Sequence, residues 1–438
     1  MRTRFFHMCM ILLCCFYGGN VKATDAEDDI VSISLSTIIL FALDNNPDLL
    51  IAQERVNQMV DFTKEARADY LPRIEVKVKG GRQYISPTAG NSNSNFAKTT
   101  LQLTQKVFDG HSTTSEVNRR QKVTDSAGYS AESQRTLIIL DTIKFYLTAY
   151  RYQKDIEILE RFLEGINTIV SDIREMYAAG AISKVMNDYA VSRQAAAALE
   201  VSRARSSLND AISNLEFLTG SLPEFIAVSP DELMPEKYDF DLYFERAEQD
   251  NMAIKINMAD LDALKHKLNK EKAAYLPDVD FNLSAKRTYN DGGDVGAAND
   301  ISATFSMRYE IFDGFLRKHK TSRVGSEIRE LEFKNDKIVK VLRKDLQLAY
   351  HQVLSSKISL DSVYAEIKNN INVKYLNSEN FRLGNINAID LIEGEQRLKE
   401  SYLKRQKLKY TMDLNKYTLL INSTILNNDY FCASCSDM

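Results

Sequence analysis

The sequence predicts a mainly α protein with a small β part, laid out as two tandem structural repeats. Three observations predict it. Motifs in the first half recur in the second at a nearly constant offset. Two long stretches carry no proline and are rich in helix formers. Two pairs of alternating strands stand at matching places in the two halves.

The N-terminus comes first. Arg2 and Arg4 precede an apolar run from Met8 to Tyr17, followed by Val21-Lys22-Ala23. The run is shorter than the ~18 residues a membrane span needs. It reads as a secretory signal peptide over residues 1–23, leaving Thr24 as the first mature residue. Its removal takes away Cys9, Cys14 and Cys15. Cys432 and Cys435 remain, as a C-x-x-C in a C-terminal tail over residues 425–438. An oxidising compartment would let that pair close a small disulfide. No βαβ pattern surrounds it, so a redox motif is the weaker reading.

Composition narrows the class. Net charge is −4, which gives no electrostatic footprint for nucleic acid. Mean hydropathy is −0.31, and no apolar run after residue 24 is long enough for a membrane helix. The mature chain is therefore either soluble or a β-barrel, whose strands carry a weaker hydropathy signal.

The repeat organises the rest. Ala68-Asp69-Tyr70-Leu71-Pro72 recurs as Ala273-Ala274-Tyr275-Leu276-Pro277. Val107-Phe108-Asp109-Gly110 recurs as Ile311-Phe312-Asp313-Gly314, an offset of 204 (314 − 110). The same offset pairs Tyr146 with Tyr350, Gly180 with Gly384, Ile182 with Ile386 and Arg193 with Arg397. The repeats are expected over 24–220 and 241–424, with Pro223, Pro230 and Pro235 marking a linker over 221–240.

Each repeat reads alike: a helix stopped by Tyr-Leu-Pro, two strands, a very long helix, a glycine turn and another helix. The strand pairs are expected over 74–108 and 279–312. In the second, Val279, Phe281, Leu283 and Ala285 alternate with Asp280, Asn282, Ser284 and Lys286. Ile301, Ala303, Phe305, Met307, Tyr309 and Ile311 then alternate with polar residues. The first pair is weaker, with Ile74, Val76 and Val78, then Leu101, Leu103 and Val107. This is period 2, with one apolar and one polar face. Polar loops from Ser86 to Asn95 and Asn290 to Asn299 join the strands as hairpins. Such hairpins pack on a soluble core or form a wall in lipid. In lipid four strands cannot close, since the smallest barrels have about eight, so several chains would share one barrel.

The long helices are expected from about His111 to Tyr177 and Phe315 to Phe381. At ~1.5 Å per residue each reaches on the order of 100 Å. Leu342, Leu346, Ala349, Val353, Leu360, Val363, Ile367 and Ile371 repeat at spacings of three and four, with one step of seven, as in a coiled-coil seam.

These residues resemble the TolC-like outer-membrane efflux and type I secretion channel family over nearly the whole mature length. The resemblance rests on Leu35 and Ala42-Leu43-Asp44-Asn45-Asn46-Pro47-Asp48-Leu49, on the duplicated Leu-Pro and Phe-Asp-Gly, and on Phe381 to Ile392. It implies a homotrimer in the outer membrane of a Gram-negative bacterium, in contact with lipid. Each chain would add four strands to a shared twelve-strand transmembrane β-barrel, continued by an α-barrel through the periplasm. It implies a passive export duct with a periplasmic membrane-fusion adaptor and an inner-membrane pump, ABC or proton-driven. The stretch from Gly384 to Arg397 is somewhat more similar to members that secrete large proteins than to those that export drugs.

The resemblance also implies the sites. The periplasmic tip turns and adaptor contact fall at Gly180, Ile182, Ser183, Gly384, Ile386 and Asn387. An acidic ring at the aperture falls on Asp390 and Glu393, which threefold symmetry would gather around the axis. Both also fit ordinary solvated helix acids. Met186, Phe381 and Ile386 stand where the family carries a polar closing network, so a different contact holds this tip.

No catalytic residue, metal site or cofactor is expected. The histidines, His7, His111, His266, His319 and His351, have no metal-ligand spacing, and no H-E-x-x-H, G-x-S-x-G or P-loop is present. The rival reading is a periplasmic coiled-coil scaffold without a pore. It has no use for strands with an apolar face.

Overall fold

The computed structural model describes residues 31–85, 92–220, 225–228, 239–291 and 296–424. The expected signal peptide, most of the linker, parts of both hairpin loops, and the tail with Cys432 and Cys435 lie outside the described residues.

In chain order the elements are β1 (Val31–Ile33), α1 (Leu35–Asn45), α2 (Pro47–Ala68), β2 (Arg73–Ile85), β3 (Ser92–Phe108), α3 (Ser112–Ala178) and α4 (Lys184–Thr219). Then come β4 (Phe225–Ala227), α5 (Phe240–Asp250), α6 (Met252–Ala273), β5 (Asp278–Tyr289), β6 (Ala297–Arg308), α7 (Leu316–Arg382) and α8 (Ala388–Asn422). The repeat is literal: α3 and α7 are each 67 residues long, and both ends of α7 lie 204 residues after those of α3 (316 − 112, 382 − 178).

The helix before each Tyr-Leu-Pro is broken, where the sequence reading had one. Asn46 ends α1 and caps α2, its Oδ1 accepting from Asp48 N–H at 2.9 Å, with Pro47 at the first helical position. Asn251 does the same between α5 and α6, accepting from Ala253 N–H at 2.9 Å. One asparagine thus serves two helix ends.

Four helical columns pack side by side. Toward the sheet the order is α2, α3, α6, α7; toward the other end it is α4, α3, α8, α7. The two long helices run the whole length, with α4 following α2 and α8 following α6 as the shorter columns. The largest core lies midway, where α1, α5, β1 and β4 wrap the columns. Tyr146 anchors it, fully buried, donating to the Ile33 carbonyl and accepting from Val228 N–H, both at 2.9 Å.

At one end stands an antiparallel sheet of order β2-β3-β5-β6. Ile74–Leu103–Leu283–Ala303 and Val76–Leu101–Ala285–Ile301 form rows on one face. Arg73–Thr104–Asn282–Thr304 and Lys77–Thr100–Lys286–Asp300 form rows on the other. The period-2 pattern therefore adds across all four strands into one apolar and one polar face. Strand β6 stops at Arg308, short of the alternation that runs to Ile311 in the sequence. Its partner β5 starts at Asp278, opposite Arg308, so among the described residues Tyr309 onward has no strand to pair with.

Candidate functional site

Two surfaces carry chemistry: the sheet and the far helical tip.

On the sheet, the apolar face is exposed. Val78 is 74% accessible, Ile301 78% and Phe305 73%, values that suit a side chain meeting lipid rather than a protein core. The polar face is knitted by its own side chains. Thr104 donates to Asn282 Oδ1 at 3.0 Å and Asn282 Nδ2 donates to Ser306 at 3.2 Å. Lys77 pairs with Glu75 at 2.9 Å. Among the described residues, the edge strands β2 and β6 have no outer neighbour. An open edge is not stable in hydrocarbon, because each unpaired N–H and C=O there costs several kcal/mol.

The Phe-Asp-Gly motifs form the joints between sheet and columns. Asp109 accepts from Thr113 N–H at 2.8 Å, and Asp313 accepts from Arg317 N–H at 2.8 Å. Each aspartate stands two residues before the N-cap (His111 or Phe315) and takes up one first-turn N–H of the long helix that follows its strand. Arg317 also returns its Nε to Asp313 at 2.8 Å and lies over the Tyr275 ring.

Just beyond the first joint, Glu116 of α3 gathers three cations. Arg119 and Arg120 reach it at 2.6 and 2.8 Å from its own helix, and Lys270 of α6 at 3.1 Å. The Arg119 hydrogen bond, aided by Arg120 and Lys270 against the cost of burial, lowers the Glu116 carboxyl to about 2.

At the tip, the two predicted turns lie side by side. Gly180 and Gly384 have φ of +73° and +74°, as a residue just past a helix end requires. Gly180 N–H bonds to Tyr177 O and Ala181 N–H to Met176 O, at 2.9 and 2.8 Å. Gly384 and Asn385 repeat the pair on Phe381 O and Asn380 O, both at 2.9 Å. Ser183 and Asn387 then cap α4 and α8. Ile182, Met186 and Phe381 pack on one apolar cluster with Ala388, Leu391 and Ile392, so both turns share a core. Ile386 is half-buried nearby.

Asp390 and Glu393 share the first turns of α8, three residues apart. Glu393 is exposed; Asp390 is half-buried. Asp390 has a local task that spacing did not reveal. Its Oδ2 accepts from Asn387 N–H at 3.3 Å while Asn387 Oδ1 accepts from Asp390 N–H at 3.1 Å, a reciprocal capping box. Its other carboxylate oxygen takes no part in the box.

Sequence reasoning missed one feature here. Lys399 of α8 is buried yet charged, pairing with Glu200 of α4 at 2.7 Å and lying 4.5 Å above the Phe162 ring of α3. In the sequence it looks like any helix-surface lysine.

The comparisons with known proteins agree with this geometry. Residues 39–221 match the family described as Outer membrane efflux protein. CyaE of Bordetella pertussis is 24% identical over 313 residues, covering 70% of this chain and 66% of CyaE. TolC of Escherichia coli is 22% identical over 354 residues, covering 73% of this chain and 71% of TolC. The fold superposes on the Campylobacter jejuni CmeC outer membrane channel with a TM-score of 0.77 at 16% identity, over 89% of this chain and 85% of CmeC. In its sequence match over residues 39–221, its relatives and its fold, the chain is similar to the TolC-like outer-membrane efflux proteins, and that similarity indicates the outer membrane of a Gram-negative cell.

Proposed function

We propose that three copies of this chain form the passive exit duct of a tripartite export system, with a periplasmic adaptor and an inner-membrane pump. One observation carries the reading. A sheet apolar on one face and polar on the other, with two open edges, sits on helices that reach on the order of 100 Å at ~1.5 Å per residue. Closing such a sheet in lipid takes more than one chain, and three copies give twelve strands. The apolar face then meets lipid and the polar face lines water.

The units of the duct are the segments 24–220 and 241–424, joined through 221–240, after loss of the signal peptide 1–23. Burial supports ring closure in the columns too. Helix α3 buries 19 residues and its counterpart α7 buries 9; α6 buries five and α2 only Thr63. Helices of one pattern differ because α3 and α6 are flanked on both sides, while α7 and α2 stand at the edges.

The tip, with Gly180, Ile182, Ser183, Gly384, Ile386 and Asn387, contacts the adaptor. Asp390 and Glu393 form the acidic aperture, with Asp390 keeping its cap. The pump supplies energy and selects cargo, protein or small molecule. Nothing in the strands favours a coiled-coil scaffold. The test is fractionation of cells making the full chain, with sizing of the detergent extract. A heat-resistant trimer in the outer membrane supports the duct; a soluble periplasmic monomer rejects it.

A further inference from the structure

The duct reading leaves open which residues of one protomer meet which of the next. The tandem repeat answers this. Within the chain, the first repeat already docks on the second, β3 on β5 and α3 on α6. If all six repeats of a ring meet alike, the joint between chains is that same joint with each residue exchanged for its counterpart. Residues of β3 and α3 move forward by 204 (314 − 110), and those of β5 and α6 move back by 205 (277 − 72). The sheet obeys these offsets internally: Ile74 faces Leu103, and their counterparts Val279 and Met307 face each other.

We propose that β6 and α7 of one protomer dock on β2 and α2 of the next in this register, so that Met307 faces Val78 of the partner subunit, Phe305 faces Gly80 of the partner subunit, and Lys320 pairs with Glu65 of the partner subunit. The proposal rests on the duct reading and adds its seam.

Charge supports it. Within the chain, Glu116 of α3 meets Lys270 of α6 at 3.1 Å. The counterparts are Lys320 and Glu65, with both signs reversed. Reversal at one position alone would have set like charges together; reversal at both keeps the attraction. Glu65 and Lys320 are each exposed and form no ion pair among the described residues.

Volume supports it independently. Leu101 faces Ala285 within the chain. The counterparts are Phe305 and Gly80, so one side has grown and the other has lost its last carbon. A glycine opposite an aromatic ring on an edge strand is a recognised compensation. Phe305 is 73% accessible in the single chain, and a Cβ at Gly80 would meet only a backbone oxygen, at 3.7 Å. The exchanged pairs lie at two places, sheet and columns, and the same two offsets generate both. A strand slip would have to break the helix pair as well.

The seam is tested by cysteine pairs in the full chain, with Cys432 and Cys435 changed to serine. Directly opposed residues have Cβ atoms about 4.5–5.5 Å apart, while a two-residue slip opens this to about 7–8 Å. Val78→Cys with Met307→Cys is expected to give a covalent trimer on mild oxidation, and Val76→Cys with Met307→Cys far less. On the columns, Glu65→Lys or Lys320→Glu alone is expected to lower the dissociation temperature of the trimer by a few degrees, and the two together to restore it. A trimer that cross-links best through Val76 and Met307, with no rescue by the double reversal, overturns the register and leaves the duct. A monomer with no cross-link at any pair overturns both.

Discussion

Lys399 and Glu200 are joined at 2.7 Å between α8 and α4, tying the second repeat to the first through a lysine that is only 6% exposed. Glu200 is 39% exposed and can hydrate if left alone. Lys399→Met is therefore expected to cost at most about 1 kcal/mol, since the stem keeps its packing on Phe162. Lys399→Glu sets like charges together in a buried place and is expected to cost about 3–5 kcal/mol. Thermal melts of the detergent-solubilised protein separate the two. Equal losses would mean that packing alone holds Lys399.

Glu116 gives the columns an acid-sensitive joint. Its carboxyl is lowered to about 2 from the ordinary glutamate value of 4.5. A carboxyl held below its unfolded value supplies stability that is whole above pH ~4.5 and is lost as pH falls toward ~2. Melting temperature is expected to drop through that window in the native chain and to vary less in Glu116→Gln. The variant should also be less stable at pH 7, because three cations lose their carboxylate.

Asp109 and Asp313 are expected to matter more than surface acids. Loss of a side-chain acceptor at a helix start costs about 0.5–2 kcal/mol. Asp313→Ala should cost more than Asp109→Ala, since it also frees the Arg317 side chain that bonds both Asp313 and the Ala274 carbonyl. Asn at either site keeps an acceptor and should recover part of the loss. Urea or thermal unfolding of the four variants reads this order directly.

Gly180 and Gly384 end their helices at positive φ. Alanine at either is expected to destabilise by about 1 kcal/mol, with asparagine milder, because asparagine tolerates the left-handed region. Nothing lies within 4 Å of a Cβ added at either glycine. The cost is therefore conformational, and it should show as increased hydrogen exchange confined to the tip.

Much of this fold could be read from the residues. Proline-free length and the constant offset gave α3 and α7 to within a residue or two, because a helix that long needs only good formers and no breaker. The strand faces were legible because period 2 survives in β5 and β6. The breaks at Asn46 and Asn251 were not, since asparagine is common in loops and helices alike and acts as a cap only where the chain turns. The end of β6 at Arg308 depends on its partner's length, which no local pattern encodes. At the tip, spacing located both glycine turns. It did not reveal the capping role of Asp390, because an acid near a helix start is read equally as a cap or as a free surface charge. Lys399 and Glu200 stand 199 residues apart, and only packing brings them together.

The most direct test of the central claim is single-channel recording of the purified protein in planar bilayers, beside Asp390→Asn/Glu393→Gln, which keeps the helix cap while removing the charge. Discrete, low-conductance steps that prefer cations, with the preference weakened in the double variant, are the expected result. Protein that extracts as a soluble monomer and produces no conductance steps would contradict the claim that this chain forms an outer-membrane duct.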